Sequence, residues 1–326
     1  MLKHGGDIHA VMNRLLVPYS VGVEVTARCN LDCIHCYHVL ASGPELGLAE
    51  MRSLMDDLAA LGTMELTLTG GEPFLRPDFP EILRYAVENR GFLVKVFSNL
   101  TLLTPDLAAL LARLSVHRVE TSILGPDAAL HDALTRRPGA FDAVIAGICL
   151  LREHGVRVEA KTVLMRQNLP ALDDMYALAG RLGIRFRHDD GIFVESDGRR
   201  RPLALRISDR DVVRDRKRRG YNALVDKPRA CNAGRSVMHV SPDGSVYPCG
   251  PFPLAAGNVR EQPLGEIWRR SPLMERVRSL TGADYGVCRG CRYLLRCNGC
   301  LAMGQGLARG RVHPCRLSRK RLRPFT

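Results

Sequence analysis

No apolar run in the 326 residues approaches the roughly 20 that a membrane-spanning helix needs. The first residues, MLKHGGDIHAVMNRLL, lack the apolar core and small-residue cleavage site of a secretory signal. The chain has no internal repeat and no low-complexity tract. These absences argue against a membrane, a secreted or a repeat protein, and the expectation is a cytoplasmic globular enzyme or binding protein. Acid is scarce relative to base, 34 Asp and Glu against 47 Lys and Arg, for a net charge of +13. Residues 196–230 carry Arg199, Arg200, Arg201, Lys217, Arg218 and Arg219, and the tail 309–326 has seven Lys or Arg and no acid. No nucleic-acid motif accompanies this charge, so neither nucleic acid nor membrane is expected as a partner. The basic surface reads as a solvated face that also suits an acidic peptide or an anionic small molecule.

Cysteine, by contrast, is plentiful. Eleven cysteines in a reducing compartment are metal ligands or reactive thiols rather than disulfides, and the odd count leaves at least one outside any pairwise scheme. Cys149, in the apolar helical run FDAVIAGICLL, is expected in the core.

Short β-rich runs occur at residues 21–26, 64–69, 92–97, 117–123, 156–164 and 184–188. Helical patterns such as GLAEMRSLMDDLAALG and TPDLAALLARL separate them, the second opened by Thr104 as N-cap and Pro105 in the first turn. Six strands alternating with helices predict an α/β fold with a parallel sheet of βαβ units. In barrels of this kind, functional residues gather at the C-terminal ends of the strands. The stretches CNLDCIHC, GGEP, SNLT and SILG follow or close the first four strands and are expected to meet at one mouth. The expected division is an N-terminal extension over 1–20, a barrel over 21–195 and a basic linker containing a helix over 196–230. A second domain over 231–326 is expected to be organised by metal rather than by a core.

Cys29, Cys33 and Cys36 are spaced CxxxCxxC within eight residues. Three thiolates can hold three metals of a cubane and leave the fourth open to a ligand from substrate or cofactor. A structural zinc site would want four ligands, and His35 or His38 could supply the last, so spacing alone leaves zinc open. Seven further cysteines follow: Cys231, Cys249, Cys288, Cys291, Cys297, Cys300 and Cys315. Cys249 comes just after a hairpin-like turn at Asp243-Gly244. Read as a zinc ribbon, the two CxxC pairs would strand three cysteines, whereas two iron–sulfur clusters of four and three thiolates use all seven.

The stretch CNLDCIHCY resembles the signature of the radical SAM enzymes, and TGGEPFL at Gly70, Gly71, Glu72 and Pro73 resembles their second motif. The C-terminal cysteine pattern resembles the SPASM domain found behind such barrels. Together the resemblances cover roughly residues 20–318, and they imply a partial (β/α)6 TIM-like barrel with a small iron–sulfur-binding SPASM domain. They imply a [4Fe–4S] cluster on Cys29, Cys33 and Cys36, whose open iron S-adenosylmethionine chelates. They also imply reductive cleavage of that cofactor to a 5′-deoxyadenosyl radical, which abstracts a substrate hydrogen. Gly70 and Gly71 would let backbone approach the methionine moiety, and His35 would lie beside the adenine. Asn99, Ser122 and Arg136 would contact the cofactor. In the SPASM pattern, Cys288, Cys291, Cys297 and Cys315 would hold a distal auxiliary cluster. Cys231, Cys249 and Cys300 would hold a proximal one with an open iron.

The SPASM group acts mostly on peptides, and a smaller branch modifies haem precursors. The acidic base that sulfatase maturases carry after their equivalent of Cys249 is Gly250 here. About 20 residues before the first strand leave no room for a winged-helix module that grips a leader peptide. The leading expectation is a maturase of a ribosomally made peptide, served by a separate leader-binding protein and a flavodoxin- or ferredoxin-type electron donor. The second is a haem-precursor decarboxylase, for which the Arg-rich surface would suit propionates. The third is a noncatalytic zinc protein. Asp189, Asp190 and Glu195 are weak general-base candidates, and Tyr37 and Tyr247 are candidate relays.

Overall fold

The computed structural model describes residues 6–38, 44–218 and 231–279. After an N-terminal helix α1 (Gly6–Leu15) the chain alternates strand and helix. The strands are β1 (Ser20–Thr26), β2 (Glu65–Gly70), β3 (Leu93–Phe97), β4 (Arg118–Ser122), β5 (Val158–Val163) and β6 (Arg185–Asp189). Between them run α2 (Leu48–Ala60), α3 (Phe79–Arg84), α4 (Pro105–Arg113), α5 (Ala128–Thr135), α6 (Ala140–Glu153) and α7 (Leu172–Arg181). Every neighbouring pair from β1 to β6 is parallel, as expected of a partial (β/α)6 barrel. The predicted Thr104 cap is present, its hydroxyl accepting from the Leu107 amide at 3.2 Å.

Alternation along the strands sorts their side chains. Val21, Val23, Val25, Leu66, Leu68, Val94, Val96, Val119, Val158 and Ala160 turn one way into a core shared with Met51, Leu58, Ile82, Leu111, Ile148 and Met175 of the helices. The opposite, inner face carries Glu24, Lys95, Glu120 and Lys161.

A helix α8 (Asp209–Arg218) follows, then β7 (Val237–Val240), β8 (Ser245–Tyr247), β9 (Gly257–Asn258), α9 (Leu264–Arg270) and α10 (Pro272–Ser279). β7 pairs in parallel with β1, from Ser20 opposite Val237 to Val23 opposite Val240, so the sheet continues as nine strands. Over residues 231–279 this part contributes to an apolar core, which the sequence reading did not expect of it. Met238, Val240, Val246, Leu264, Ile267, Trp268 and Met274 join the same buried cluster as the barrel. Trp268 also donates its indole N–H to the Leu16 carbonyl at 2.7 Å. The cysteines drew attention from an ordinary apolar pattern that closes one edge of the sheet.

Cys149 is a correction, because it is exposed. The buried stripe of α6 is Ala140, Val144, Gly147, Ile148 and Leu151, and Cys149 lies off that stripe despite its apolar neighbours in sequence.

Candidate active site

Residues 27–38 leave the C-terminal end of β1 and are pinned from three sides. The Asp32 and Ile34 amides donate to the Thr135 and Leu134 carbonyls at the end of α5 (3.2 and 3.0 Å). Cys33 and Ile34 pack against Leu124, Leu134, Met165 and Ile192. Asn99, just past β3, donates to Asn30 Oδ1 at 2.9 Å and lies 3.9 Å from Cys29 Sγ. Asn30 in turn donates to Thr101 at 2.7 Å. Leu100 takes a left-handed backbone (φ 61°), a conformation that favours glycine. It is held there by burial, with Gly147 of α6 leaving room for its side chain.

The GGEP stretch braces this loop. Cβ atoms on Gly70 and Gly71 would fall 2.2 Å from the Thr26 and Arg28 carbonyl oxygens, so only glycine lets the two strand ends pass so closely. The Gly71 and Glu72 amides donate to those carbonyls at 2.9 and 2.8 Å. Glu72 is fully buried, and both its carboxylate oxygens are engaged within the chain. One accepts from Phe74 N and Ser98 Oγ (3.1 and 2.8 Å), the other from Asn99 N (2.7 Å). Burial nevertheless pushes its carboxyl up to about 7, because the donors are dipoles and none is a cation. Pro73 is buried at the start of a short turn, Pro73–Leu75.

Burial and the neighbouring thiols push Cys33 up to about 12 and Cys36 up to about 11, and Cys29 is raised too, by burial first. Thiols that oppose one another's ionisation in this way need a cationic partner to be held as thiolates. No three His, Cys, Asp or Glu side chains among the described residues stand at single-ion distances. Two buried atoms near the strand ends have no partner among the described residues, His35 Nδ1 and Thr121 Oγ1, and burial pushes the His35 imidazole down to about 4. Ser122 closes β4, half-buried. Arg136, in left-handed backbone at the end of α5, pairs with Asp32 of the cysteine loop at 2.9 Å. Three thiols that need a cationic partner and an unpartnered buried imidazole nitrogen fit the ligand set of an iron–sulfur cluster.

Of the second cluster, Cys231 is exposed and Cys249 half-buried, and Gly234 N bonds to the Pro248 carbonyl at 2.9 Å between them. Cys288, Cys291, Cys297, Cys300 and Cys315 lie outside the described residues. A cleft of about 280 Å³ opens between Tyr37 and His38, which follow Cys36, and Gly250, which follows Cys249. The candidate bases are already engaged. Glu195 is buried against Arg201 (2.8 Å), and Asp189 accepts from the Gly191 amide at 2.8 Å. Tyr37 and Tyr247 line the cleft, and burial raises both phenols.

Two groups on the inner face escaped the sequence reading. Glu24, 6% exposed, meets His239 Nε2 of β7 at 2.6 Å and His38 Nδ1 at 3.4 Å. Glu120, 1% exposed, gathers Arg118, Lys161 and Arg187. The available signal was a charge at an inward position of an otherwise apolar strand, as in VGVEVT.

Comparison with known proteins places this geometry. Residues 23–179 match the Radical SAM superfamily, and residues 231–292 match SPASM, an iron-sulfur cluster-binding domain. The chain is 32% identical to the AdoMet-dependent heme synthase of Methanosarcina barkeri, over 87% of this chain and 91% of that one. It is 30% identical to the mycofactocin maturase MftC of Mycolicibacterium smegmatis, over 87% and 78%. Among solved structures, anSMEcpe with bound AdoMet and a peptide superposes with a TM-score of 0.68 at 18% identity, covering 91% of this chain and 92% of that one. Streptococcus suis SuiB bound to S-adenosylmethionine gives 0.65 at 19%, covering 93% and 78%. At those identities the likeness concerns the fold.

Proposed function

We propose, for a chain that belongs to the radical SAM superfamily and carries a SPASM domain, that its substrate is a haem precursor and its reaction the decarboxylation of propionate side chains. The observation that carries this is the near full-length likeness to the heme synthases, 32% over 91% of the relative. The inner face adds chemical support, because Arg118, Lys161 and Arg187 surround one carboxylate there and suit an anionic substrate. This reverses the order in which the sequence alone ranks the two substrates. In the overall reaction the side chain gives up one hydrogen atom, CO2 and one electron, and a vinyl group remains. The electron passes to a one-electron acceptor of the iron–sulfur class.

On this reading Cys29, Cys33 and Cys36 hold the first [4Fe–4S] cluster. Cys231, Cys249 and Cys300 hold a proximal auxiliary cluster, and Cys288, Cys291, Cys297 and Cys315 a distal one. Bound together, the first cluster and S-adenosylmethionine supply a carbon radical that removes a substrate hydrogen. The protein's own contribution is positioning. Asn99 and Asn30 orient Cys29, the α5 carbonyls fix the loop, and Glu72 ties β2 to β3 behind it. His35, Gly70, Gly71, Asn99, Ser122 and Arg136 border the cofactor space, with Glu72 and Pro73 as its brace. The division into barrel (21–195), basic linker (196–230) and SPASM domain (231–326) and a flavodoxin- or ferredoxin-type donor belong to the same reading. No helix among the described residues is long and apolar enough to cross a membrane.

A second reading, maturation of a peptide, is favoured by the likeness to the mycofactocin maturase. Glu24, Asp197 and Asp243 along the cleft would suit a basic peptide, with a leader-binding protein as partner. Anaerobically reconstituted protein, given S-adenosylmethionine, reductant and a tetrapyrrole with surplus propionates, is expected to release 5′-deoxyadenosine together with a product lighter by CO2. Turnover of a peptide with no change in the tetrapyrrole would overturn the first reading in favour of the second.

A further inference from the structure

The inner face of β4, β5 and β6 holds an unbalanced group of charges. Glu120 is saturated: Oε1 accepts Arg118 Nε at 2.9 Å, and Oε2 meets Arg187 and, at 3.4 Å, Lys161 Nζ. Arg118 is shared with Glu159 at 3.7 Å. The Lys161 ammonium has three donors, and the long contact to Glu120 is the hydrogen bond it makes among the described residues. Its other contact is the face of Phe97, 3.3 Å from the ring centroid. Asp189, the next carboxylate to influence it, accepts from the Gly191 amide.

Lys161 is also well placed. It sits opposite Ser122 in the β4–β5 register. Its ammonium reaches across β4 to Phe97, two residues before the asparagine that touches Cys29. Its side chain keeps 29% of its surface open. Burial pushes its pKa down to about 8, which leaves it mostly protonated near neutral pH.

We propose that Lys161, with Arg187 beside it, is the point inside the barrel that binds a substrate carboxylate. Resting on the haem-precursor reading, that carboxylate is a propionate of the tetrapyrrole. The ammonium offers an anion two donors unused among the described residues, in a partly desolvated site, and Phe97 and Glu120 hold that ammonium in place.

The test uses the full chain with its clusters reconstituted. Binding of a propionate-bearing tetrapyrrole and of its methyl ester is followed by absorbance, and S-adenosylmethionine binding by equilibrium dialysis. Lys161→Met is expected to weaken the acid tetrapyrrole by about 10- to 100-fold. It should leave the methyl ester and S-adenosylmethionine within about twofold, and Lys161→Arg should restore most of the loss, since a guanidinium also pairs with carboxylate. If Lys161→Met loses iron, Lys161→Gln carries the same expectation. Unchanged binding of the acid by a folded variant overturns the assignment. Weakened S-adenosylmethionine with unchanged tetrapyrrole overturns it as well, by assigning Lys161 to the cofactor's own carboxylate. A wild-type chain that binds no tetrapyrrole overturns the haem-precursor reading and this inference with it, an outcome distinct from the other two.

Discussion

Two regions of the inner face bury a glutamate each, and they balance its charge differently. Under β4 and β5, Glu120 is held below the usual carboxylate range because Lys161, Arg187 and Arg118 outweigh the cost of its burial. At the β1–β7 seam, Glu24 is also held low against burial, but its partners are His38 and His239. The first wall is charged at any physiological pH, with cations to spare. The second leans on imidazoles, one of which, His38, burial pushes below the usual histidine range. A third glutamate, Glu72, has dipolar donors and no cation, and burial prevails. Partner type, more than depth of burial, decides which of the three carries a firm negative charge.

The sharpest way to break this comparison is to remove Glu120. Glu120→Ala leaves Arg118, Lys161 and Arg187 without their common anion and is expected to cost about 3–5 kcal/mol, read as a fall in the urea midpoint. A loss below about 1 kcal/mol would show that solvent replaces the carboxylate and that the wall is wetter than its burial implies.

Next comes Glu72. Its folded pKa, about 7, lies above the ordinary 4.5, so ionisation is disfavoured in the folded state. Its contribution is therefore most favourable below about pH 4.5 and declines as pH rises to about 7. Relative to Glu72→Gln, wild type is expected to lose about 3 kcal/mol of unfolding free energy between those limits. Parallel pH profiles for the two proteins would mean that the three donors outweigh burial after all.

At the seam, Gly22→Ala would place its Cβ 2.4 Å from His239 Nδ1. We expect about 1–3 kcal/mol of destabilisation as the imidazole is forced away from Glu24. A normal melting temperature would show that His239 moves freely and that its bond to Glu24 contributes little. The smallest effect is expected at Cys149→Ser, within about 0.5 kcal/mol and with unchanged iron content, since the thiol is exposed on α6. A loss of iron there would contradict the separation of this cysteine from the three proposed clusters.

The expected strands lie within a residue or two of those observed, because period-two runs between capped helices leave little choice of type. The residues of the cysteine loop were equally legible, since their chemistry depends on local spacing. Cys149 was misread because an apolar neighbourhood in sequence does not give the phase of a helix, and one step off the stripe of Val144, Ile148 and Leu151 reaches solvent. The role of Glu72 was visible as a motif but not as a brace, since Ser98 and Asn99 come from the next strand's loop.

By itself the sequence determined the alternation of strands and helices and the grouping of thiols at strand ends. Both rest on interactions between residues near one another in the chain, whereas the need for glycine at residues 70 and 71 comes from the Thr26 and Arg28 carbonyls of a distant segment. Only the tertiary structure decided that β7 extends the sheet at β1, that His239 meets Glu24, and that Lys161 reaches across β4 to Phe97 beside a carboxylate already taken. Those contacts depend on strand order and register, which bring together residues far apart in sequence and which no local pattern encodes.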